Sequence, residues 1–143
     1  MGEGPRGIRS AFPISPGRYA QNMFSKEVIA TVSNLLNLPT AGYEQDWPLE
    51  LADAERIGEF VSAYERSDAD SNEQKAIMAL IVASVDDYCG VAGVTPPHWS
   101  RVVSLLERDA KSYGNLIAYW SCDGDEDPDL WFAVTPFIRR LRR

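Results

Sequence analysis

Ala76-Ile77-Met78-Ala79-Leu80-Ile81-Val82-Ala83 is apolar on nearly every face when wound at about 3.6 residues per turn. A helix with no polar side has no side that favours water, so this segment belongs in the middle of a bundle, with other helices around it. Ser71-x-x-Gln74 fits a capping box and supplies the start signal. Cys89-Gly90 and Gly93 supply the stop, because glycine alone enters the left-handed C-terminal turn without strain. The helix is expected over about residues 72 to 89.

Upstream, Ser25 caps a helix carrying Val28, Ile29, Val32, Leu35 and Leu36 on one stripe, which stops before Pro39. Tyr43 to Pro48 reads as a loop containing Trp47. Leu51, Ala54, Ile57, Phe60, Val61 and Tyr64 then recur at helical spacing, with Asp53, Glu55, Glu59 and Glu65 on the other face. Residues 1 to 24 hold Gly2, Gly4, Gly7, Gly17, Pro5, Pro13 and Pro16, a spacing that breaks any helix and predicts an extended arm. Residues 25 to 143 are expected to form one helical domain.

Downstream, Thr95-Pro96-Pro97 opens another helix, with Thr95 as cap and a proline where no amide donor is needed. Trp99, Val102, Val103, Leu106, Ala110, Tyr113, Leu116, Ile117 and Trp120 keep helical period, and Gly114-Asn115 marks a kink or break. Trp131-Phe132-Ala133-Val134-Thr135 and Phe137-Ile138 read as an extended segment. Pro136 confines it to an edge strand, because proline cannot donate into a ladder. The fold class expected is all-α: an antiparallel bundle of four to five helices with a short extended or edge-strand C-terminal segment.

The charge pattern narrows the partners. The 143 residues carry 14 Lys+Arg against 21 Asp+Glu, a net −7. Taking away Arg139, Arg140, Arg142 and Arg143 leaves ten basic residues against 21 acidic ones, a balance of −11. Such a body disfavours a nucleic-acid groove, since phosphates gather clustered Lys and Arg. No apolar run approaches the ~20 residues needed to cross a bilayer, and the N-terminus lacks a signal-peptide core. Arg6 stands where a myristoylation signal wants Ser or Thr. Cys89 and Cys122 lie far apart without CxxC spacing, and read as reduced thiols of a cytoplasmic protein.

Asp123-Gly124-Asp125-Glu126-Asp127-Pro128-Asp129 puts five carboxylates in seven residues. They repel one another and persist only where water, a metal or a basic partner compensates them. Their alternation imitates a calcium loop, but Pro128 stands at the sixth position and Val134 at the twelfth, where Gly and a bidentate Glu belong. His98 is the only histidine; it excludes a multi-histidine zinc site and leaves a serine triad one base. A surface or capping role suits its place after Pro97. Gly2-x-Gly4-x-x-Gly7 has no strand before it, so it cannot work as a dinucleotide fingerprint. Asp86-Asp87 point in different directions on a helix, one toward water and one toward a groove. No cofactor, metal or catalytic set is expected.

Tyr113-Gly114-Asn115-Leu116-Ile117-Ala118-Tyr119-Trp120, the acidic loop, and Asp129 through Arg139 together resemble the C-terminal ends of bacterial immunity proteins. Those families guard cells against polymorphic and contact-dependent growth inhibition toxins. The likeness covers about the last fifth of the chain. It implies a small cytoplasmic protein that blocks a secreted toxin domain, often a basic nuclease. The expected partner contacts are Asp123, Asp125, Glu126, Asp127 and Asp129, joined by Asp68 and Asp70, with Trp131 or Tyr119 as aromatic anchor. Two other readings stay open: a helical adaptor with a different partner, and a small carboxylate- or metal-dependent enzyme.

Overall fold

The computed structural model describes residues 24–40 and 46–141. The Gly/Pro-rich arm expected over 1 to 24 falls outside the described residues except for Phe24, as do Arg142 and Arg143 of the basic tail. Among the described residues the chain is all-α, with seven α-helices and two short 3-10 turns. The helices are α1 (Lys26–Leu35), α2 (Trp47–Glu50), α3 (Ile57–Arg66), α4 (Asn72–Ala92), α5 (Trp99–Arg108), α6 (Gly114–Ser121) and α7 (Thr135–Arg140).

Helix α4 is the axis of the molecule. Its 21 residues span about 31 Å at the usual rise, and Ala76 through Val85 are all buried. Ser71 caps it, accepting from the Gln74 amide at 3.0 Å. The return arm of the box is shifted by one residue, since Gln74 Oε1 accepts from the Asp70 amide, not that of Ser71. At the other end Gly93 takes φ +77° and donates to the Cys89 carbonyl at 2.9 Å. The helix therefore passes through Gly90 and stops at the second glycine signal. Helices α1, α2 and α3 all pack on α4.

Ser25 caps α1 as expected, its hydroxyl accepting from the Val28 amide at 3.1 Å. Leu36 is buried, whereas Leu35 turns out to water. Trp47 was expected in a loop; it opens α2, is wholly buried, and donates from Nε1 to Ser33 Oγ at 2.9 Å. Phe24 meets it edge-on, with ring centroids 6.3 Å apart. The second amphipathic segment becomes helical only from Ile57, and the preceding chain is pinned to α4 by the Asp53 amide donating to Ser84 Oγ at 2.9 Å.

The C-terminal half departs further from expectation. The helix expected from Thr95 starts at Trp99, after His98. The His98 ring lies against α3 so closely that a Cβ on Gly58 would stand 2.6 Å from its Nε2. The long helical period from Trp99 to Trp120 is broken at Asp109, where a 3-10 turn (Ala110–Ser112) re-aims the chain into α6. The break is held by side chains. Tyr64 Oη donates to Asp109 Oδ2 at 2.7 Å and lies 2.8 Å from Tyr113 Oη, while Arg108 forks onto the same carboxylate.

The expected extended or edge-strand segment at 131 to 138 is a turn followed by α7, and no strand occurs among the described residues. Pro136 sits in the first turn of α7, where a missing amide hydrogen costs nothing. Thr135 stitches the turn: its hydroxyl donates to the Trp120 carbonyl at 2.8 Å and accepts from the Phe132 amide at 3.0 Å.

Candidate functional site

Helices α6 and α7 pack against each other, and the acidic loop spans the gap between them. The Trp120 and Phe132 rings meet at a tilt, their centroids 4.6 Å apart, and Tyr119 closes on both at 5.3 Å. Asp86 of α4 anchors this unit to the core: wholly buried, it accepts the Val134 amide at 3.0 Å. Its neighbour Asp87 is half-buried, so in place of the expected water-facing and groove-facing pair one carboxylate lies in the core and the other is partly covered. Cys89, one turn along α4, has its thiol pushed up to about 11, by burial first and the Asp86 carboxylate second. Cys89 and Cys122 are both free.

The loop is shaped locally. Cys122 leaves α6 in the left-handed conformation, and Gly124 follows at φ +88°, a value that suits glycine. Asp125 Oδ1 accepts the Asp127 amide at 3.2 Å, and Asp127 Oδ1 accepts the Asp129 amide at 3.0 Å. Each of these two aspartates thus spends one oxygen on the turn. Asp123, Glu126, Asp127 and Asp129 are exposed, and Asp125 is half-buried.

Arg139 of α7 lies inside this loop. Nε donates to the Ser121 carbonyl at 2.8 Å, and Nη2 donates to the carbonyls of Cys122 at 3.1 Å and Asp125 at 2.8 Å. Its guanidinium stacks 4.0 Å from the centre of the Trp131 ring, and Trp131 Nε1 also donates to the Asp125 carbonyl, at 2.9 Å. Its nearest loop carboxylate is Glu126, whose Oε1 stands 3.9 Å from Nη1. Arg139 therefore binds the loop chiefly through backbone oxygens. Arg140 turns away over Phe137, 5.1 Å from the ring centre.

The remaining expected residues scatter. Asp70 accepts from Ser112 Oγ at 2.8 Å and pairs with Lys75 at 3.6 Å, which holds its carboxyl below the usual range, Ser112 contributing most. It serves the junction between α4 and the 3-10 turn before α6. Asp68 is exposed in the same connection. Of the two aromatic anchors, Trp131 is half-buried under Arg139, and Tyr119 is half-buried against Phe132. Among the described residues no group of three or more His, Cys, Asp and Glu converges to hold a metal. No described helix is long and apolar enough to cross a membrane.

The sequence pointed to the carboxylates but missed what carries them. Asp86 was legible in outline, because position 86 continues the buried 79, 82, 83 stripe of α4. The role of Arg139 was hidden by reading 131 to 138 as extended. Fold and site together define an all-helical protein that holds an acidic loop on an aromatic base. Comparison with protein-family models, curated proteins and solved structures finds no match.

Proposed function

We propose that this chain is an immunity-type protein that meets a basic toxin domain through the loop at 123 to 129 and blocks its working groove. The loop's carboxylates stand in for phosphates facing a nuclease's cationic residues. The observation that carries the reading is that Arg139, the guanidinium nearest the loop among the described residues, is committed to carbonyls. Glu126, the loop carboxylate nearest to that guanidinium, stays 88% exposed at 3.9 Å from it. The resemblance of the C-terminal segment to immunity proteins points the same way, as does the −7 balance of the chain. Asp70 is tied to Lys75 and Ser112 while its side chain stays largely exposed. The protein works in the cytoplasm as a binding module, with no chemical step of its own. The short connections from α3 to α4 and from α4 to α5 suit antiparallel packing of those neighbours.

The test is co-expression with each secreted toxin domain encoded by neighbouring genes. Growth should be restored against one of them, and the purified pair should associate with a rate that falls as salt rises. Asp123→Asn, Asp125→Asn and Asp127→Asn together should slow that association by roughly 10 to 10³. The same rate in the triple variant removes the loop from the mechanism. Rescue from no toxin, with capture of an unrelated regulatory protein, favours the adaptor reading.

A further inference from the structure

We infer that the Asp127–Pro128 peptide bond is a self-scission site: under acid the Asp127 carboxyl cuts its own chain, and the piece that begins at Pro128 stays docked on the body. This is the only Asp–Pro pair in the 143 residues. Both residues are exposed, so water and acid reach the bond. Asp125 Oδ1 accepts the Asp127 amide at 3.2 Å, and Asp127 Oδ1 accepts the Asp129 amide at 3.0 Å. An aspartate bonded to the amide two residues on folds its carboxyl back along the peptide group that follows it. Here that group is the one joining Asp127 to Pro128. The charged neighbours in the loop are Asp125, Glu126 and Asp129, and Arg139 reaches in from α7, 3.9 Å from Glu126.

The protonated carboxyl supplies both the nucleophile and the acid. One of its oxygens attacks the Asp127 carbonyl carbon, the bond from that carbon to the Pro128 nitrogen breaks, and the nitrogen takes up the carboxyl's proton. A cyclic anhydride remains on Asp127. One water opens it to two carboxylic acids, so the net change is hydrolysis of one peptide bond. Proline favours this course, because a residue without an amide hydrogen cannot close on the side chain as an imide instead. Holding the carboxyl against its target removes ordering that a free chain has to supply. Beyond the cut, Phe132, Val134 and Ile138 are buried, Asp86 accepts the Val134 amide, and Thr135 donates to the Trp120 carbonyl. All of these survive the cut, so α7 keeps its place.

The experiment holds the full chain at the lowest pH that preserves its helical circular dichroism, with and without urea, and reads the products by mass spectrometry. Two pieces should appear, residues 1–127 and 128–143. They should form about 3- to 10-fold faster without urea, because the folded turn places the carboxyl beforehand. Asp127→Glu keeps the acid but moves it one carbon further out, and should cut about tenfold more slowly. After return to neutral pH the two pieces should elute together from a size-exclusion column and separate in urea. An intact chain, or a cut at another bond, overturns the site. Cutting no faster in the folded chain than in urea overturns the part assigned to the turn. Asp127→Glu cutting at the parent rate overturns the part assigned to the carboxyl. Pieces that elute apart at neutral pH overturn the docking.

Discussion

Tyr64 shows how one polar atom fixes the course of the chain. Its hydroxyl is buried between Asp109 and Tyr113, at the point where the run from Trp99 to Trp120 breaks. Burial foremost, then its bonds to Tyr113 and Asp109, pushes the Tyr64 phenol well above its ordinary range, and burial pushes Tyr113 up to about 12. Tyr64→Phe leaves Asp109 and Tyr113 each short of a partner and should cost about 1–3 kcal/mol in urea denaturation. Both folded values lie above the unfolded phenol's ~10, so the neutral form is the one the fold prefers. Their contribution is complete below pH ~10 and is lost as pH rises through the folded values. The urea midpoint should accordingly drop above pH ~10, and the Tyr64→Phe/Tyr113→Phe double variant should show a shallower drop. An equal drop in the double variant would place the alkaline transition elsewhere.

Helix α7 is too short to stand by propensity, at six residues. It forms because Pro136 starts it without penalty, Asp86 accepts the Val134 amide, and Thr135 ties the turn to Trp120. Thr135→Ala removes a buried acceptor from the Phe132 amide and a donor to the Trp120 carbonyl, at a cost of about 1–3 kcal/mol. The loss should be uneven: exchange protection should fall first over α7 and the acidic loop, while the amides of α4 keep theirs. Uniform loss across the chain would mean that the C-terminal unit does not open separately. Helix α4 stands at the opposite extreme. Its caps lie within a turn of its ends and its burial is nearly complete, so its existence was readable from Ser71, Gln74, Gly93 and the apolar run alone.

For the molecule as a body, the loop concentrates an acidic excess already present throughout. Asparagine at 123, 125 and 127 retains an oxygen able to accept the turn amides that Asp125 and Asp127 now take. At 125 and 127 it removes only charge. The Asp125→Asn/Asp127→Asn double variant should therefore keep its helical circular dichroism and melt no lower than the parent at low salt, where like-charge repulsion is relieved. At 0.5 M salt (about a 4–5 Å screening length) the two should melt together. A lower melting point in the variant would show that these carboxylates hold the fold together. That outcome would count against their being kept for a partner.

The features readable from residue order alone were those whose cause lies within one helical turn. They are the all-round apolarity of 76 to 83, the caps at Ser25 and Ser71, the glycine stop at Gly93 and the crowding of carboxylates at 123 to 129. Where those signals were set aside by longer contacts, the expectation failed. Trp47 opens α2 instead of lying in a loop, and Ser33, 14 residues earlier, accepts its indole hydrogen. The supposed strand at 131 to 138 is a turn leading into α7, and Asp86, 48 residues away, receives the Val134 amide where that helix begins. Arg139 meets the loop backbone because folding delivers three carbonyls to it from 14 to 18 residues upstream. Composition and local periodicity carry the apolar axis and the charge. The shape in which that charge is shown depends on bonds between residues distant in sequence, which form only once burial has brought them together.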